Sequence, residues 1–157
     1  MRTFAILVAL TLLLVGCNAN SRNTSPRPLA KKAMFAIYVV SATSGANTKT
    51  DTDPDRGTEI HLTLPAVITS ADVASVRLIE DTPSDASLPS SISLNVSLTP
   101  TGATKLSTAT ATPNGMRVAI VVNDKVVAVP KILSPLSNDF NISSNESEAM
   151  FNLLTKD

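Results

Sequence analysis

Apolar and polar positions divide the chain into a leader, a polar stretch and a patterned body. A near-continuous apolar run from Phe4 to Val15 follows Arg2 and ends at Gly16-Cys17. Residues 18–32 then show no apolar periodicity and are rich in Ser, Asn and Pro, which predicts a flexible tether over residues 17–32. The body, residues 33–157, opens with Ala33 to Val40, a β-rich run that predicts a first strand. A polar stretch from Ser41 to Gly57 separates it from Thr58 to Leu64. There Ile60, Leu62 and Leu64 alternate with Glu59, His61 and Thr63, the period of a half-buried strand. Ser70 is a candidate cap for a short helical turn from Ala71, and Ser75 to Ile79 predicts another short strand. Asp81 to Pro89 has the composition of a loop.

The second half is more sharply patterned. Ile92, Leu94, Val96 and Leu98 alternate with Ser93, Asn95 and Ser97, again a strand facing a core. Thr99-Pro100 suits an N-cap followed by a first helical position whose amide lacks an intrahelical partner. Ala103, Leu106 and Ala109 mark the buried stripe of that helix. Its threonines are poor helix formers, so packing must hold it. Met116 to Val122 and Lys125 to Leu133 flank Asn123-Asp124, a pair that tolerates positive φ, and predict a hairpin. Phe140 to Ile142 predicts a short edge strand. Asn145 with Glu148 resembles a capping box opening a last helix that buries Ala149, Met150, Leu153 and Leu154. Strands dominate, so the expected class is α+β, a mostly antiparallel sheet with two main helices.

Cys17, the chain's one cysteine, changes the picture of the leader. Arg2 supplies a positive n-region, the apolar run is shorter than the ~20 residues of a bilayer span, and small Gly16 admits a peptidase. Residues 1–16 therefore read as a bacterial lipoprotein signal peptide. An ordinary secretory leader or a retained anchor are the alternatives. A thiol directly after Leu-Val-Gly is what lipoprotein processing needs, because its sulfur takes a diacylglycerol and the freed amine a further acyl chain such as palmitate. The mature protein is then anchored to a membrane without crossing it. Asn18, rather than Asp, follows the cysteine, which in enterobacteria-like sorting favours the outer membrane, facing the periplasm.

Charge and composition exclude several function classes. Thirteen Lys and Arg balance 13 Asp and Glu, so no basic field attracts phosphates and nucleic acid is not an expected partner. With the single thiol consumed by lipid, no intramolecular disulfide forms. His61, the lone histidine, is expected at the surface, since a metal site or a histidine pair needs more than one. Asp51, Asp53 and Asp55 have calcium-loop spacing, but Pro54 intervenes, Arg56 holds the sixth position and Leu62 the twelfth. A solvated acidic loop is expected, with weak calcium binding through Asp51, Asp53, Asp55 and Glu59 left open. Neither a Gly-x-Ser-x-Gly signature nor a glycine-rich phosphate loop occurs. No cofactor, metal or catalytic residue is expected, and the chain reads as a non-enzyme. Phe35, Tyr38, Phe140 and Phe151 are too few for a stacking platform and are expected in the core.

The order strand, Thr99-Pro100-Thr101-Gly102-Ala103, helix, then the hairpin Arg117 to Val129 closing on Pro130, resembles the head subdomain in the first periplasmic region of SecD. Phe140 to Ser144 and the helix from Glu148 to Leu154 extend the resemblance, and Glu59 to Leu64 with Val67-Ile68-Thr69 and Val73 suits the family's upstream strand. Asn123-Asp124 stands where the family usually has Asp-Gly, Gly115-Met116 where it has Gly-Lys, and Ser144 where a glycine is common. No segment after the leader is hydrophobic enough to span a membrane, so the resemblance implies a detached, lipid-anchored head without the transmembrane half. It further implies a domain that binds polypeptide or an envelope protein partner, with a link to protein export. A structural lipoprotein that spaces or stabilises an envelope complex is the alternative. Phe140, Asn141 and Ile142 are the candidate partner-binding residues, because an open sheet edge can add an extended chain.

Overall fold

In a computed structural model of the chain, residues 24–81, 90–112 and 115–156 are described. Cys17, the leader and most of the expected 81–89 loop lie outside them. The described residues form two antiparallel sheets and two helices, an α+β fold. The larger sheet runs β2 (Thr48–Thr52), β3 (Glu59–Thr63), β1 (Phe35–Ser41), β7 (Val118–Val122), β8 (Lys125–Ala128), with the short β4 (Ile68–Thr69) also pairing with β1. The smaller runs β5 (Val73–Asp81), β6 (Ser91–Leu98), β9 (Asp139–Ser143). The main core lies between the sheets, where Phe35, Ile37, Ile68 and Ile120 meet Val76, Leu94, Val96 and Ile142 under α1 (Pro100–Ala109) and α2 (Ser147–Thr155).

β7 is buried along its whole length, as its unbroken apolar run dictates for a central strand. Its even positions face the main core, while Ala119 and Val121 join Ile60, Leu62, Val126 and Val129 in a second cluster on the other face. The β7–β8 turn carries Asn123 at φ 48° and Asp124 at φ 63°, the pair of positive angles that a two-residue primed turn demands. Thr99 caps α1, its hydroxyl accepting from the Gly102 amide at 3.1 Å, and Pro100 takes the first turn. Thr110 is fully buried at the far end. Its hydroxyl donates to the Leu106 carbonyl and accepts from the Leu136 amide, which ties the helix to the following loop.

Several expectations are corrected. The stretch Ser41 to Gly57 contains β2, whose sequence Thr-Lys-Thr-Asp-Thr has no apolar alternation because it pairs only with β3 and buries no face. The turn at Ser70–Asp72 is a single 3-10 turn capped by Thr69; the Ser70 hydroxyl instead accepts from the Phe35 amide in β1. α2 starts after Glu146 without a side-chain cap, and it buries Ser147, Met150, Phe151 and Leu154, leaving Ala149 and Leu153 outside. The i, i+3, i+4, i+7 set that includes Phe151 buries more apolar area than the one expected.

Residues 24–32, expected in the flexible tether, are part of the domain. The Thr24 amide donates to the Leu78 carbonyl and its hydroxyl accepts from the Leu78 amide. Arg27 and Val76 exchange both backbone hydrogen bonds, at 2.9 and 2.8 Å, and the Ala30 amide reaches the Leu154 carbonyl at 2.8 Å. Leu29 and Ala30 pack on the core, and the Arg27 guanidinium sits 5.8 Å from the Phe151 ring centre.

Candidate functional site at the open edge of the small sheet

The three expected partner-binding residues, Phe140, Asn141 and Ile142, fall together on β9, at one margin of the three-stranded sheet. Register assigns them different roles. β9 pairs with β6 through Ser93 with Ser143, Asn95 with Asn141 and Ser97 with Asp139, and the Leu98 amide donates to the Asn138 carbonyl at 2.8 Å. In an antiparallel ladder the hydrogen-bonded and non-bonded pairs alternate. Counting from Leu98 and Asn138, the backbones of Phe140 and Ile142 face β6, whereas those of Asp139, Asn141 and Ser143 face away. The side chains divide in the same way. Ile142 is buried in the core and Phe140 packs against it, so Asn141 alone of the three offers its own amide to the open edge.

The outward face of this sheet is a ladder of polar side chains. Arg77 Nε donates to Asn95 Oδ1 at 3.1 Å, and Asn95 Nδ2 donates to Asn141 Oδ1 at 2.8 Å. The Ser93 and Ser143 hydroxyls are 3.0 Å apart, and Ser97 donates to Asp139. Ser93 and Asn95 are buried beneath these neighbours, and the Asn141 side chain is held on its inner side through Asn95. Sequence alternation places Asn95 and Ser93 on a polar face but gives no sign of that burial.

Beyond Ser143 the chain turns into α2 at a serine-rich corner. The buried Ser147 hydroxyl donates to the Ser144 carbonyl at 2.7 Å, and grooves open on either side. One, of about 600 Å³, is lined by Ser90, Ile92, Ser143 and Glu148; the other, of about 440 Å³, by Asp55, Val126, Val127 and Glu146. His61 stands in β3 of the other sheet, away from the serines of this corner. That histidine is half-buried rather than exposed, with Nδ1 3.5 Å from Thr50 Oγ1 and Nε2 3.9 Å from Glu59.

The acidic loop also departs from expectation. Asp53 is buried and paired with Arg117, and its Oδ1 accepts from the Asp55 amide at 3.0 Å, while Gly57 at φ 64° closes the turn. Asp51 faces Lys49 instead. Among the described residues no three His, Cys, Asp or Glu side chains gather as metal ligands, and no helix is long and apolar enough to cross a membrane.

A family model for the SecDF P1 head subdomain matches residues 46–155. The chain belongs to that family. Among solved structures, two SecDF chains share its fold at 20% identity each. The first, titled "Structure and function of a membrane component SecDF that enhances protein export", gives a TM-score of 0.53 over 77% of this chain and 60% of its own. The second, a crystal structure of SecDF in Super-membrane-facing form, gives 0.56 over 78% of this chain and 18% of its own. The chain thus spans less than two thirds of either. A comparison with curated proteins gives no match. The matched segment of this head domain contains β9 and its corner, whereas β1 and residues 24–32 lie upstream of it.

Proposed function

We propose that this head domain is lipid-anchored through Cys17 on the periplasmic face of the envelope, at the outer membrane, and serves protein export by holding extended polypeptide, without catalysis. The observation that carries the reading is the asymmetry of the small sheet. Residues 24–27 occupy the β5 edge, while β9 on the other side has no further strand among the described residues and turns the Asn141 amide outward. An open edge of this kind binds a chain through its backbone, and so accepts many sequences. Membership in a family of periplasmic SecDF heads supports the location and the link to export. Lipidation is supported by the leader and by Cys17 at its end.

Two measurements test this. Titrating the protein with a labelled unfolded polypeptide is expected to show binding that Asn141→Pro weakens, because proline removes the outward amide and leaves the backbone hydrogen bonds to β6 in place, at the loss of the side-chain bond from Asn95. Absence of binding by either protein retires capture and leaves a domain that spaces or stabilises an envelope complex. Metabolic labelling with a fatty-acid analogue is expected to mark the wild type and not Cys17→Ala; equal label in both overturns the anchor.

A further inference from the structure

Away from β9, one groove among the described residues has an almost wholly apolar floor. It lies where the start of β1 meets the outer side of α2, occupies about 630 Å³, and is lined by Ala33, Ala149 and Leu153 with Asn123 and Asn152. Leu153 is 54% exposed, and Met34, next along the chain from Ala33, is 51% exposed. The charged residues lining the groove are Lys32 and Lys156, both cations and both exposed. An apolar floor with a cationic rim is the chemistry of a surface that rests on anionic lipid headgroups.

The length of chain between the domain and Cys17 points to the same occupant. Residues 24–32 are fastened along β5 and onto α2, so only six residues, 18–23, lie between Cys17 and Thr24. The seven steps from Cys17 to Thr24 span at most about 25 Å whatever their conformation, against about 55 Å for the 16 residues expected as a tether. A lipid on Cys17 therefore keeps the domain within about one domain diameter of the bilayer, where a few weak contacts suffice to dock it.

We propose that the groove between Ala33 and Leu153, rimmed by Lys32 and Lys156, docks the domain onto an anionic lipid surface, with residues 24–32 acting as a strap that holds it there. The inference rests on the lipid anchor of the proposed function. In the docked state the strap side of the small sheet is the tethered one, and β9 lies two strand spacings beyond β5, about 10 Å further from the strap.

The test uses the full-length lipidated protein in vesicles of phosphatidylglycerol with phosphatidylethanolamine, and in neutral phosphatidylcholine vesicles. With Cys17 acylated, Leu153→Cys provides a single labelling site for an environment-sensitive fluorophore, and Thr108→Cys on the exposed side of α1 provides the reference. On anionic vesicles the label at 153 is expected to be protected from an aqueous quencher and the label at 108 is not. Lys32→Gln combined with Lys156→Gln is expected to lower the ratio of docked to undocked protein about 25-fold, about fivefold for each cation. Protein that fails to float with vesicles overturns the anchor and the docking with it. Protein that floats while positions 153 and 108 are quenched equally overturns the docking alone, as does equal protection on anionic and neutral vesicles.

Discussion

Asp72 is the residue on which three elements converge. Its carboxylate accepts from the Thr69 amide at 3.0 Å and the Thr69 hydroxyl at 3.1 Å, both from β4, and from Lys105 Nζ on α1 at 2.7 Å; its carbonyl accepts from the Thr99 amide. Burial on its own pushes this carboxyl up, but Lys105 and the two Thr69 donors together outweigh it and hold the pKa below the ordinary aspartate value of 3.8. A carboxyl whose folded pKa is lowered stabilises the fold above its unfolded value, and that contribution is lost as pH falls through the folded one. Lys105 is half exposed, so solvent screens its share. Asp72→Asn is therefore expected to cost about 1 to 2 kcal/mol at pH 7, with the gap to wild type closing as pH drops below 3.8. Denaturant melts across that range measure it, and a gap that does not change with pH contradicts the assignment. Asp53 with Arg117 is a second buried carboxylate pair, and it draws Asp53 away from Asp51 and Asp55, which among the described residues do not gather with it as metal ligands.

Among the elements, α1 shows how a weak helix is seated. A Cβ built on Gly102 would stand 2.6 Å from the Asp72 carbonyl oxygen and 2.9 Å from its Cβ, so only glycine lets the helix rest on the 3-10 turn. Propensity alone favours Gly102→Ala by about 1 kcal/mol. The contact is with backbone that cannot swing aside, so we expect a net loss of about 1 to 2 kcal/mol, while Thr104→Ala on the exposed side is neutral or better. Thermal melts that place Gly102→Ala at or above wild type would show that the helix does not rest there. What the sequence made legible was local: the Thr99-Pro100 start, the Asn123-Asp124 turn, the alternation of Ile60 with Leu62 and of Leu94 with Val96, and the brevity of β9. What it hid depended on partners distant in sequence. β2 carries no alternation because its only partner is β3. The α2 face is set by where Phe151 meets the strap. Which β9 residue turns its amide outward depends on the parity of pairing with β6, invisible until Leu98 is seen to bond Asn138.

At the scale of the whole molecule, the small sheet has one edge occupied by residues 24–27 and, among the described residues, no further strand on the other, so the strap sets the asymmetry. Serine and proline around Arg27 gave residues 24–32 the composition of a linker, yet prolines at 26 and 28 leave the Arg27 amide and carbonyl free to pair, and both are used by Val76. Such a strap resembles a fourth strand reduced to its minimum, with Arg27 also lying over the Phe151 ring. If these hydrogen bonds hold it, Arg27→Pro removes the donor to the Val76 carbonyl and releases the segment, whereas Arg27→Ala removes only the ring contact. Hydrogen exchange separates the two cases. The Val76 amide is expected to lose protection in Arg27→Pro and to keep most of it in Arg27→Ala, while the Ile120 amide in the larger sheet stays protected in both. Release would lengthen the tether and expose β5 as a second open edge, so Arg27→Pro should also self-associate more at high concentration. Unchanged protection at Val76 in the proline variant would mean that Leu29, Ala30 and Thr24 hold the strap without the Arg27 bridge.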